Sequence, residues 1–353
     1  MGIHFDKSRM NQVLKNHELW WKGELNRPLI KGTICNVYPV SRKPIAPILS
    51  QATCTDFSWT PEQLIDTLDF ELSKHEYVGD GYPSIGFDSF GPGVLAAFCG
   101  AKLDNSSGRV WFFPCEEYIS KLHVQYNPEN IWSRRIKDTY RAGLERWNGS
   151  VIMSFPDLGG VMDVLASLCG TENLLYALID EPEEVHRLIG EIETAWYAAY
   201  QDLVDVLKPQ GAYTDWNGIL SKEPSYITQC DFGYMISPAM FQEFVLETLR
   251  KDTEKLTNVI YHLDGIGQLN HLDMILSIKD LKAIQWVYGT GQPGPLHWMD
   301  VYKKIVDAGK QIMIIDNGID NSFLKIAKHL GCNPYTHLTV DAAQRHLAMQ
   351  MIR

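Results

Sequence analysis

"NVIYHLDG" (258–265), "AIQWVYGTG" (283–291) and "QIMIIDNG" (311–318) are three short apolar runs, each ending in a glycine-containing turn. Runs this short and this uniformly apolar suit strands buried on both faces, as in a parallel sheet. Outward from this block the same strand-then-helix unit recurs. Strands are expected near 31–37, 84–89, 151–156, 211–216, 258–263, 283–288, 311–316 and 335–340, with helical apolar spacing between them. Eight such units predict a single α/β domain over 1–353, a closed (β/α)8 TIM barrel. Residues 1–29 read as a polar, helical N-terminal extension, and the less regular stretch 105–150 as an insertion over one end. A doubly wound open sheet is the rival architecture. No GxGxxG or GxxxxGK[ST] follows an early strand to support it.

Composition narrows the function. Lys and Arg total 32 against 43 Asp and Glu, a formal charge of −11, and no basic block could track a phosphate backbone. No nucleic-acid partner is expected. The seven cysteines are irregularly spaced, with no CxxC, which fits reduced thiols and a cytoplasmic protein better than a disulfide framework. The N-terminus has no apolar signal segment, and no uncharged apolar run reaches about 18 residues, so no membrane partner is expected either.

In a barrel, the loops at the C-terminal strand ends converge on one mouth. Polar residues fall there repeatedly: Asp88, Asp157, Asp215, His262 with Asp264, Gln285, and Asp316. A carboxylate beside an apolar core must be paired, hydrogen-bonded or bound to a cation, so these positions suit either a site or a set of helix caps. His262 and Asp264, two residues apart on one strand, share a face. Such a pair can bind a divalent ion, or the Asp can orient the imidazole as a base, or the two can stitch a turn. Candidates for the third metal ligand are Cys230, Asp231 and Asp215. Trp216, Trp286 and Tyr288 are expected to border the mouth, suiting a small, partly apolar organic substrate.

Four stretches, "FGPGVLAAFCGAKL", "PDLGGVMDVLASLCGTENLLYALIDEPEEVHRLI", "CDFGYMISPAMFQEFVLETL" and "YHLDGIGQLNHLDMILSI", make the chain resemble the uroporphyrinogen decarboxylase-like superfamily, from about residue 75 to the C-terminus. The resemblance is to the branch that includes corrinoid-linked and folate-linked methyltransferases. It implies a small methyl donor or thiol acceptor, a zinc site, and a methyl group carried by a separate corrinoid protein or a folate-like cofactor. The zinc-containing members carry HxC at a strand end and a second Cys near the C-terminus. His262 matches that histidine, Asp264 stands where Cys is expected, and Cys332 is the distal candidate. Carboxylate in place of thiolate makes a harder site. The Arg-rich segment of true decarboxylases is replaced by "TICNVYPVSRKPIAP". A metal-independent decarboxylase-like lyase and a nonenzymatic binding barrel are the other readings.

Overall fold

The computed structural model describes residues 2–40, 43–116, 118–314 and 321–352. Its strands in chain order are β1 (Leu29–Cys35), β2 (Glu76–Gly79), β3 (Ser84–Ile85), β4 (Lys102–Asp104), β5 (Trp111–Phe113), β6 (Ile152–Met153), β7 (Tyr226–Gln229), β8 (Val259–Asp264), β9 (Ala283–Val287), β10 (Gln311–Ile314) and β11 (Tyr335–Asp341). The main sheet runs β2-β1-β11-β10-β9-β8-β7. Every ladder in it is parallel except β1 with β2. β3 pairs in parallel with β6, and β4 and β5 form an antiparallel hairpin. The chain is thus a mixed α/β protein with a mostly parallel central sheet.

This topology bears differently on the several expectations. The closed eight-stranded ring is not formed by the ladders among the described residues, because the main sheet stops at β2 on one edge and β7 on the other. The expected strand at 211–216 makes only an isolated antiparallel bridge, Tyr213 to Ser221, and the ladder strand falls instead at β7. The reason is local. The 215–217 turn is fixed by the Asp215 carboxylate, which accepts from the Asn217 amide (2.8 Å) and from the Ile227 amide in β7 (2.7 Å). A side chain therefore occupies the place of a ladder partner, and a single backbone bond, Phe155 N–H to Thr214 O (2.8 Å), joins this segment to the β6 side.

The insertion is also smaller than 105–150. The helix Ile131–Trp147 lies in the core, with Ile136 and Tyr140 fully buried and the Tyr140 hydroxyl donating to Ser154 O (2.6 Å). The helix after β1, Pro61–Leu72, stops at Leu72, and the chain then returns as β2.

Strand alternation separates two apolar cores. On the helix-facing side Ile30, Ile34, Tyr261, Leu263, Ile284, Trp286, Ile312 and Ile314 join the large core packed against the helices. On the opposite, inner face, residues near the strand starts, Leu29, Ile227, Ile260, Ala283, Met313 and Tyr335, pack with Trp20 and Trp21 of the helix Lys7–Trp21. The two indoles are anchored, Trp20 Nε1–H on Asn333 O and Trp21 Nε1–H on Leu220 O, each at 2.9 Å. The N-terminal segment thereby plugs the inner face at the strand starts. Polar inner-face residues, Lys31, His262, Gln285 and His337, are displaced toward the strand ends.

Candidate functional site

β8 places Tyr261 and Leu263 in the helix-facing core and turns His262 and Asp264 inward. Gln285 of β9 is the register partner of His262, and its Oε1 lies 2.5 Å from His262 Nδ1. The Gln285 amide nitrogen donates to Met313 Sδ (3.2 Å), which keeps the carboxamide oxygen toward the imidazole. The proton of a neutral His262 therefore sits on Nδ1 and the Nε2 lone pair is free. Nε2 faces Asp264 Oδ2 at 3.7 Å. Asp231, the first residue of the turn after β7, completes the group: one ligand atom from each of Asp231, His262 and Asp264 lies within 4.8 Å of the others.

Asp163 builds the Asp231 turn. It sits in the first turn of the helix Val161–Cys169 and accepts from the amides of Asp231 (3.1 Å) and Phe232 (2.7 Å). Burial, together with the charge of Asp231, pushes its carboxyl up to about 7. The helix comes close enough to β7 because residue 160 is glycine: a Cβ there would lie 2.0 Å from Gln229 O. Sequence reasoning missed Asp163. Its one signal is an acidic residue three positions after Gly160, ordinary for any helix start.

The remaining carboxylates divide by role. Asp157 is buried, accepts from the Gly159 amide (2.8 Å), and is pushed up to about 6 by burial, against the favourable field of the Gly159 amide and His262. Asp215 is pushed up to about 7 by burial, and both its oxygens hold backbone amides. Asp88 is exposed on the turn after β3. Asp316 lies outside the described residues. For Asp231, burial raises the carboxyl while His262 lowers it and Asp264 and Asp157 raise it. Burial alone would strip the proton from His262; Asp264 and Asp231, with the Gln285 bond, overcome this and hold its pKa above the ordinary histidine value.

The aromatic set is split by the sheet. Trp216 stands edge-on to His262 at 4.9 Å and walls the group on the inner face. Trp286 is fully buried on the other side, against Trp298 (5.3 Å), and Tyr288 stacks on the same indole at 6.2 Å. Those two rings pack sheet to helix and are not brought to His262. Cys230 is buried in the helix-facing core, where burial drives its thiol pKa well up, so the neighbour that reaches the group is Asp231. Cys332 packs at the start side of β11, the end opposite Asp264.

No protein-family model matches the chain, and no curated protein matches it. A solved structure does. A methyltransferase from Methanosarcina mazei superposes with a TM-score of 0.61 at 12% sequence identity, covering 94% of this chain and 93% of that one. At that identity the likeness is one of fold. It covers nearly the whole of both chains. No single helix among the described residues is long and apolar enough to cross a membrane.

Proposed function

We propose that this chain is an enzyme that transfers a methyl group of a small organic molecule at a divalent cation held by Asp231, His262 and Asp264. The observation that carries the reading is the convergence of those three ligand atoms at the ends of β7 and β8, in a chain that shares its fold with a methyltransferase over nearly its whole length. The donor set fits the group. One imidazole nitrogen, its tautomer fixed by Gln285, and two carboxylates make a three-ligand arrangement of the kind used by catalytic zinc sites, with a position left for substrate. Two oxygen donors also make the site harder than a thiolate site, so manganese or iron(II) are competitors.

When bound, such an ion supplies Lewis acidity to the heteroatom that gives or takes the methyl group. The protein residues do the rest. Gln285 orients His262, Asp163 holds the turn bearing Asp231, and Trp216 excludes water from one side of the imidazole. Asp157, with a pKa of about 6, is able to hold or release a proton near neutral pH. Under this reading the chain is a cytoplasmic member of the uroporphyrinogen decarboxylase-like superfamily and its two parallel sheets are parts of one barrel wall. The methyl group would be carried by a separate corrinoid protein or by a folate-like donor. Elemental analysis of the purified protein tests it: about one zinc-like ion per chain is expected, lost in H262A and D264A. A metal-free wild type with full methyl-transfer activity would remove the proposal.

A second reading draws on Asp157 and Asp215, two buried carboxylates whose pKa values of about 6 and about 7 suit proton handling without a metal. It is a decarboxylase-like lyase. Carbon dioxide release that survives chelation would favour it.

A further inference from the structure

On the inner face of β1 and β11, away from β8, a second polar group surrounds a cavity of about 270 Å³. Lys31 enters it from β1. Among the described residues its ammonium makes one hydrogen bond, to Ser84 Oγ at 2.9 Å, and lies over the Tyr82 ring at 4.6 Å. An ammonium has three donors, and a half-buried one without a carboxylate partner is costly. Asp215, the acidic group whose field acts on Lys31, has both its oxygens engaged by backbone amides. Glu71, at the edge of the cavity, is paired with Lys74. Burial brings Lys31 down to about 8.

The surroundings are arranged around that ammonium. Gly218 takes a positive φ of +76°, and a Cβ on it would lie 2.8 Å from Lys31 Nζ, 2.9 Å from His337 Nε2 and 3.0 Å from the Tyr335 hydroxyl. Three polar atoms thus converge on a position that only glycine leaves open. His337 donates from Nε2 to Asn217 O (2.6 Å), and burial and Lys31 hold its pKa down at about 3, so it stays neutral beside the lysine. Thr33 and Thr339 add hydroxyls, and Leu72 and Ile85 an apolar wall.

We propose that this cavity binds a small organic monocarboxylate, with its oxygens on the Lys31 ammonium and the Ser84 and Thr33 hydroxyls and its apolar body against Leu72 and Ile85. One ammonium suits one negative charge, and a second would face Glu71. The apolar wall requires a carbon body, which a bare inorganic anion lacks. The site does not depend on the cation proposed at β8.

Calorimetric titration of the full chain in EDTA, with pentanoate and its uncharged isostere pentanamide as probes, tests the assignment. Wild type should bind pentanoate at least tenfold more tightly than pentanamide. K31M should abolish that preference, K31Q should do the same, and K31R, which keeps the charge, should retain part of it; circular dichroism identifies the variants that fold. Equal affinity for acid and amide, a preference that survives K31M or K31Q, or no binding of either probe at tens of millimolar would each overturn the proposal.

Discussion

Replacing Gln285 by leucine removes the acceptor for His262 Nδ1 while keeping a side chain of similar reach in a position that is 1% exposed. Two consequences follow from the geometry. The Nδ1–H becomes a buried donor without a partner, which costs about 1–3 kcal/mol of folding stability. The imidazole also loses what fixes its tautomer and ring plane, and loss of such an outer partner typically weakens a metal site by about 10–100-fold, or roughly 1.4–2.7 kcal/mol. Competition with a chromophoric chelator reads the zinc affinity and urea unfolding of the metal-free protein reads the stability. Gln285→Glu supplies the control: it restores an acceptor, now charged, and should bring zinc affinity back to within a few-fold of wild type. A folded Q285L that binds zinc as tightly as wild type would refute the reasoning, since Gln285 would then be orienting nothing that matters to the cation.

Other outcomes follow from the same geometry. Zinc affinity of wild type should rise with pH through the His262 titration, because Nε2 must lose its proton to coordinate; a flat profile between pH 5 and 8 would remove His262 from the ligand set. In the metal-free protein the signs differ among histidines. His262, raised, stabilises the fold below its unfolded value, a contribution lost as pH rises through the folded one. His17 and His337, lowered by burial to about 4 and about 3, contribute stability above the unfolded value that is lost as pH falls toward those values. Imidazole nitrogen NMR should accordingly find His262 protonated first on acidification, with His17 and His337 still neutral at pH 5. Gly160→Ala should destabilise by about 1–3 kcal/mol or more in urea unfolding, because its methyl would lie 2.0 Å from the Gln229 carbonyl oxygen, a backbone atom that cannot rotate away.

Much of this was legible where periodicity and chemistry coincide. β8 to β10 were readable because each is a short apolar run closed by a turn, and β8 lies within one residue of the expected 258–263, with His262 and Asp264 interrupting it on one face. The strand at 211–216 misled for a definite reason. Its apolar and aromatic residues are as buried as those of a strand, but Asp215 takes the Ile227 amide with its side chain, a substitution for backbone pairing that leaves no mark on hydrophobic pattern. Trp286 was misplaced by one position of alternation: Gln285 faces inward, so Trp286 cannot. Asp163 was invisible because its role depends on a contact with the Asp231 turn, 68 residues away in the chain.

The charges around His262 bear on why a cation belongs there. The charges of Asp157, Asp231 and Asp264 act on one imidazole, Asp163 holds the turn that carries Asp231, and the only ion pair among the described residues that includes any of the four is His262 with Asp264. Without a cation, burial favours the protonated forms of Asp157 and Asp163 and raises them to about 6 and about 7, with the charge of Asp231 adding to the effect at Asp163. A divalent ion would supply the opposite charge directly and pull those values down, so its binding should release protons from carboxylates as well as from His262. Titrating zinc into weakly buffered protein at pH 6 and counting protons separates the two sources: release in D163N should fall below wild type by the Asp163 share, while H262A should bind too little zinc to release any. Equal release from wild type and D163N would mean that Asp163 is ionised before the cation arrives and holds the Asp231 turn by hydrogen bonds alone.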